Sequence, residues 1–87
     1  MEKYSRNIQI IDGELDNEQV MLHIEKGKYL GLNPVGKRIW ELIEQPRSFT
    51  ELTGILLAEY KVTEEQCVQE VQTFLDKAVK YDILIKR

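Results

Sequence analysis

Residues able to do chemistry are few in this chain, and they are scattered. The single histidine, His23, lies in a segment of alternating apolar and polar residues, with no cysteine near it in sequence. A metal site needs several ligands at workable spacing, and none are offered; His23 reads as an ordinary histidine on the wetter face of a strand. The single cysteine, Cys67, falls in a helical apolar stripe, where a small buried hydrophobe is the expected role rather than a nucleophile. Ser5 and Ser48 have no evident triad partners, and Ser48 is accounted for by helix capping. The five glycines form no phosphate-cradling loop. The carboxylates sit mostly in first turns of helices or beside lysines, as in Lys37–Glu41, which is how solvated faces look. The expectation is a protein without catalytic residues, metal or cofactor.

The totals narrow the partners. A net charge of −3 argues against nucleic acid and anionic membranes, since phosphate binding needs a basic face. With 43% hydrophobic and 31% charged residues, the chain is expected to fold as one globular domain spanning residues 1–87. The N-terminal residues carry no apolar signal region, and the longest apolar run, residues 55–58, is far short of a membrane span. A lone cysteine cannot form an internal disulfide, so the cytoplasm is the expected compartment.

The elements that would position any site follow from periodicity. Residues 1–6 are polar and expected to fray. Residues 8–11 form a short β-branched strand ended by the turn pair Asp12-Gly13, and 14–18 an acidic connector. Residues 19–25 alternate, with Val20, Leu22 and Ile24 on one side and Met21, His23 and Glu25 on the other. After Lys26-Gly27, residues 28–32 return as a third strand. Asn33-Pro34 then caps and opens a first helix, to about residue 45, stopped by Pro46. Ser48-Phe49-Thr50-Glu51 and Thr63-Glu64-Glu65-Gln66 read as capping boxes opening a second and a third helix. Residues 83–85 suit a short closing strand or an extended tail. The fold class expected is α+β, winged-helix-like: a three-stranded antiparallel sheet followed by three helices.

With chemistry absent, surfaces remain. The third helix carries an apolar arc roughly 140–160° wide, against about 100° for a helix covering one core. Either a small domain uses all of it as core, or one flank stays exposed as half of a groove. The other half would be the third strand, Lys28-Tyr29-Leu30-Gly31-Leu32, an outer strand without the proline or dense charge that normally blunts an edge. Such an edge suits capture of an extended peptide as an added strand. The terminal segment 83–85 is the competing cover for the same edge, and the sequence leaves both open.

The run Gly27-Lys28-Tyr29-Leu30-Gly31-Leu32-Asn33-Pro34-Val35-Gly36, then Ile39-Trp40-Glu41-Leu42-Ile43, Phe49-Thr50-Glu51-Leu52 and Glu70-Val71 with Phe74-Leu75, resembles in order and spacing the PqqD-like recognition domains of ribosomally made, modified peptide pathways. The resemblance covers about residues 20–84. The corner Tyr29-Leu30-Gly31-Leu32-Asn33-Pro34 looks most like the stand-alone recognition proteins of lasso-peptide clusters. It implies a non-catalytic protein that binds the leader region of a precursor peptide by strand addition. Its further partners would be a leader peptidase and a cyclase of the same pathway. Carried over position by position, the peptide-binding residues are Lys28, Tyr29, Leu30, Gly31 and Leu32 on the strand. On the helix they are Val68, Val71, Gln72, Leu75 and Val79. Glu70 departs from the family, which more often has aspartate there. The alternatives are a recognition protein for another modified peptide, such as the pyrroloquinoline quinone precursor, and a winged-helix DNA-binding protein. Against the last, Glu64, Glu65, Glu70 and Asp76 on the would-be reading helix oppose only Lys77 and Lys80.

Overall fold

The computed structural model describes residues 2–87. The chain runs β1 (Tyr4–Arg6), β2 (Ile10–Leu15), β3 (Glu18–His23), β4 (Lys28–Gly31), α1 (Pro34–Leu42), α2 (Phe49–Glu59), α3 (Glu64–Lys80) and β5 (Leu84–Lys86). The expected three-stranded antiparallel sheet followed by three helices is present, with strand order β2-β3-β4. A separate two-stranded ribbon pairs β1 with β5.

The first hairpin turns four residues later than expected. Asp12 and Gly13 lie inside β2, opposite Met21 and Val20, and the turn is Asp16-Asn17. Both turn residues have positive φ, 53° and 69°, as a tight two-residue hairpin of the primed type requires. Asp and Asn are the non-glycine residues that tolerate this conformation best, so the pair competes successfully with Asp-Gly. The second hairpin has a four-residue loop, 24–27, in which Gly27 takes φ 64° and its N–H donates to the His23 carbonyl at 2.9 Å.

The inner face of the sheet is the one carrying Met21, His23 and Leu30, all buried. His23 is therefore a core histidine, contrary to the wetter face expected from the alternation. Its Nδ1 accepts from the Lys26 N–H at 3.3 Å, and Nε2 lies beside the Asn7 amide. The Lys26 N–H thus gives the buried ring one hydrogen-bond partner. The opposite face, with Ile11, Val20, Leu22 and Tyr29, is apolar yet turned outward.

Residues 3–6 are not frayed, and Met1 lies outside the described residues. Tyr4 is buried and exchanges backbone hydrogen bonds with Arg47, at 2.7 and 3.1 Å. Arg6 donates from Nη2 and Nε to the Trp40 carbonyl, at 2.6 and 3.1 Å, while its guanidinium lies 4.5 Å from the Trp40 ring centre. Together with Arg47 Nε on the Leu42 carbonyl, these bonds satisfy acceptors at the end of α1.

The helices start where the sequence places them. Asn33 caps α1, its side chain accepting from the Gly36 N–H at 2.7 Å, with Pro34 in the first turn. Ser48 and Glu51 form the reciprocal capping box of α2. Thr63 caps α3 through the Gln66 N–H. Helix α3 ends in a Schellman turn: Ile83 N–H reaches the Ala78 carbonyl, Asp82 N–H reaches Val79, and Asp82 takes φ 59°. The core gathers Met21, Ile39, Ile43, Leu52, Leu56, Val71, Leu75, Ala78, Ile83 and Leu84.

Helix α2 is pinned at both ends by carboxylates. The Ser48 backbone N–H bonding to Glu51 holds that carboxyl below the usual range. Arg38, which donates to both oxygens of Glu59 at 2.8 and 2.7 Å, does the same to Glu59. A lowered folded-state pKa means the unfolded chain takes up protons first as the solution is acidified. The stabilisation is thus full above about pH 4.3 and is lost as pH falls through the lower folded values. Thermal unfolding followed from about pH 6 to pH 3 should show a falling Tm, with a smaller fall in Glu51→Gln/Glu59→Gln. At neutral pH, Ser48→Ala should cost about 1 kcal/mol through loss of the cap.

Candidate peptide-binding groove

β4 is an outer strand of its sheet, with no partner strand beyond it among the described residues. Which of its groups face outward follows from the register. Leu32 N–H bonds to the Gln19 carbonyl at 2.9 Å, which makes 19–32 a hydrogen-bonded pair, and antiparallel pairing alternates from there. The main chains of Lys28 and Leu30 therefore turn toward β3. Those of Tyr29 and Gly31 present their N–H and C=O to the open edge. Side chains alternate the other way: Lys28 and Leu30 lie on the inner side, and Tyr29 stands on the outer face, about half exposed.

Beside this edge runs a groove whose second wall is α3. One part, about 490 Å³, is lined by Leu30, Gly31, Val35 and Gly36 on one side and by Gln66, Gln69, Glu70, Thr73, Phe74 and Lys77 on the other. It continues past Leu30 and Gly31 into a second part, about 420 Å³, bounded by Gly27, Lys28, Tyr29, Lys77 and Tyr81. The apolar floor is made by Phe74 with Leu30 and Val35. Its shape depends on Gly36 in α1, where a β-carbon would stand 2.8 Å from Phe74 Cε1 and 3.1 Å from Cδ1. Only the absence of a side chain at 36 lets the Phe74 ring lie against α1.

The sequence-expected residues divide. Lys28, Tyr29, Leu30 and Gly31 line the groove, and Leu32 follows them at its end, half-buried against the core. The helix residues require correction. Val71 and Leu75 have no exposed surface and belong to the core stripe with Cys67 and Ala78. Val68, Gln72 and Val79 are absent from the groove lining; Val79 packs against the core, and Gln72 donates to Asp76 at 2.7 Å on the exposed side. The flank facing β4 is instead the row 66, 69, 70, 73, 74, 77. Its signal in the sequence was the i, i+3, i+4, i+7 spacing of Gln66, Gln69, Glu70, Thr73 and Lys77 around Phe74, a mixed polar face rather than an apolar one.

Cys67 is 3% exposed, its Sγ reaching the Thr53 carbonyl at 3.8 Å, and burial pushes its thiol up; both features oppose thiolate chemistry. Among the described residues no cluster of three or more His, Cys, Asp or Glu is placed to hold a metal, and no helix is long and apolar enough to cross a membrane.

The sequence matches, over residues 18–84, the family described as Coenzyme PQQ synthesis protein D (PqqD). Among solved structures, "TbiB1 in Complex with the TbiA(beta) Leader Peptide" is 30% identical, with a TM-score of 0.76, covering 92% of this chain and 93% of that one. "Lasso peptide synthetase B1 complexed with the leader peptide" is similar in fold at 16% identity, with a TM-score of 0.68, covering 94% of this chain and 96% of that one. No curated protein matches the sequence.

The Gly36–Phe74 contact predicts how the groove responds to one added methyl. Gly36→Ala improves helix propensity but forces the Phe74 ring outward; overpacking of about 1–3 kcal/mol should outweigh a gain of about 1 kcal/mol. The expected result is a lower Tm with displaced Phe74 ring signals by NMR, and recovery of stability in Gly36→Ala/Phe74→Leu.

Proposed function

As this chain belongs to the PqqD family, we propose that it is a non-catalytic recognition protein that captures the leader segment of a ribosomal precursor peptide in lasso-type peptide biosynthesis. The observation carrying this reading is the open β4 edge beside a groove, in a chain similar along nearly its whole length to a protein seen holding a leader peptide. The leader would add to β4 as a further strand. Tyr29 and Gly31 would supply the backbone pairing, and Leu30, Val35, Phe74 and Lys77 would meet the side chains that point inward. Backbone pairing fixes register, and the groove supplies selectivity.

The bound leader would then be presented to a separate leader peptidase and a cyclase. A surface suited to such an enzyme is the outward sheet face. Ile11, Leu22 and Tyr29 form one cross-strand row there, and Ile11, Leu15, Ile24 and Tyr29 are each about half exposed. An apolar face of this kind, continuous with the β4 edge, fits protein–protein contact better than solvent.

The reading is tested with a labelled leader peptide of a lasso-type precursor, taken from the same genome, by fluorescence anisotropy. Binding is expected, and its absence would overturn the proposal. N-methylating that peptide one residue at a time should weaken binding at alternate positions, as strand pairing demands. Tyr29→Pro should remove an outward donor and binding while sparing the β3–β4 ladder, whereas Leu30→Pro should break the ladder and the fold. For the enzyme surface, Ile11→Lys should leave leader affinity unchanged and reduce co-purification with the peptidase.

A further inference from the structure

The groove is not electrically uniform. In the part next to Tyr81 the charged lining residues are Lys28 from β4 and Lys77 from α3. Their ammonium groups lie 5.3 and 6.0 Å from the centre of the Tyr81 ring, so cations from both walls of the groove approach one aromatic side chain. Neither has a carboxylate within salt-bridge distance among the described residues. The nearby acids are engaged elsewhere: Asp82 pairs with Lys26, and Asp76 accepts from Gln72. The groove's carboxylate, Glu70, lines the other part, about two turns along α3 from Lys77. An anion at this end of the groove would meet positive charge from both walls that no carboxylate compensates.

The strand register says which residue of a bound peptide reaches that place. Tyr29 and Gly31 would pair their outward backbone groups with the peptide, and the peptide residues opposite them would turn their side chains to the outer face. Residues opposite Lys28 and Leu30 would turn theirs inward. The inward residue beside Leu30 meets the apolar floor of Val35 and Phe74; the inward residue beside Lys28 meets the two lysines and Tyr81.

We propose that the Lys28–Lys77–Tyr81 end of the groove is a subsite for an acidic side chain of the bound peptide, two residues away from an apolar side chain seated over Phe74, whichever direction the peptide runs. This rests on the strand-addition reading above and adds a selectivity to it: a peptide carrying lysine or arginine at that inward position is disfavoured. The two anchors select peptides by charge at one end and by apolar fit at the other.

The test is selection of 12-residue peptides from a random display library on the wild-type protein, on Lys77→Glu and on Lys28→Glu. Both lysines are exposed and unpaired, so the variants should fold, as a circular dichroism melt would check. Wild-type protein should enrich Asp or Glu two residues from a large apolar residue, and the charge-reversed variants should lose that preference or switch to Lys or Arg. For the most enriched peptide, acid-to-amide replacement should weaken wild-type binding about fivefold at low salt and leave binding by the Lys28→Gln/Lys77→Gln double variant unchanged. Enrichment of peptides without an acidic preference, or the same consensus from all three proteins, would overturn the subsite while leaving strand addition standing. Enrichment of no peptide by any of them would overturn both.

Discussion

Asp82 holds a left-handed backbone at the end of α3, and the turn it makes decides where the last strand of the chain goes. The Schellman bonds from Ile83 to Ala78 and from Asp82 to Val79 reverse the chain sharply, bury Ile83, and deliver Leu84 opposite Arg6. Asp82 is further tied to Lys26 in the β3–β4 loop, and its carbonyl accepts from the Asn7 side chain at 2.8 Å. Both termini are thereby committed to the β1–β5 ribbon. The segment with the composition to pair with β4 is already paired, and the β4 edge stays open. A free edge is a liability that proteins usually cover; here the chain's spare strand covers something else.

Helix α3 shows why an apolar inventory does not find the groove wall. A small domain has little else with which to close its core, so the most apolar stripe, Cys67, Val71, Leu75 and Ala78, is consumed by packing. The flank that faces β4 is left with Gln66, Gln69, Glu70, Thr73 and Lys77 around Phe74. A surface that must stay hydrated when empty is built from such residues, with one aromatic floor held down by Gly36. The width of the apolar arc did not reveal that the flank beside β4 is the less apolar one.

The helices and their caps were legible because each is written in local chemistry: Asn33-Pro34, the Ser48–Glu51 box, Thr63. The second hairpin and the β4 corner were legible for the same reason. The first turn was not, because Asp12-Gly13 is the stronger turn pair on propensity, and only the full register favours Asp16-Asn17. The β3 faces read in reverse. Val20, Leu22 and Ile24 are more apolar than Met21, His23 and Glu25, so alternation alone assigns the core to the wrong side. His23 is buried by partners distant in sequence, Asn7 among them, which no local pattern encodes. Local rules fail here on the outward apolar row Ile11-Leu22-Tyr29.

That inversion has a physical use under the proposed function. A strand added to β4 divides its own side chains between two environments, because successive residues point to opposite faces. One set enters the groove, where Phe74 and the lysines can discriminate among peptides. The other set comes to lie coplanar with Tyr29, Leu22 and Ile11 and lengthens the apolar outer face by one strand. An enzyme docking on that face would meet a surface completed only when a peptide is bound. Its affinity for the protein would then be coupled to peptide occupancy through shared contact area, with no conformational change required. Selection and presentation would thus be carried by alternate residues of one strand paired with β4, which is open at its edge and apolar on its outer side.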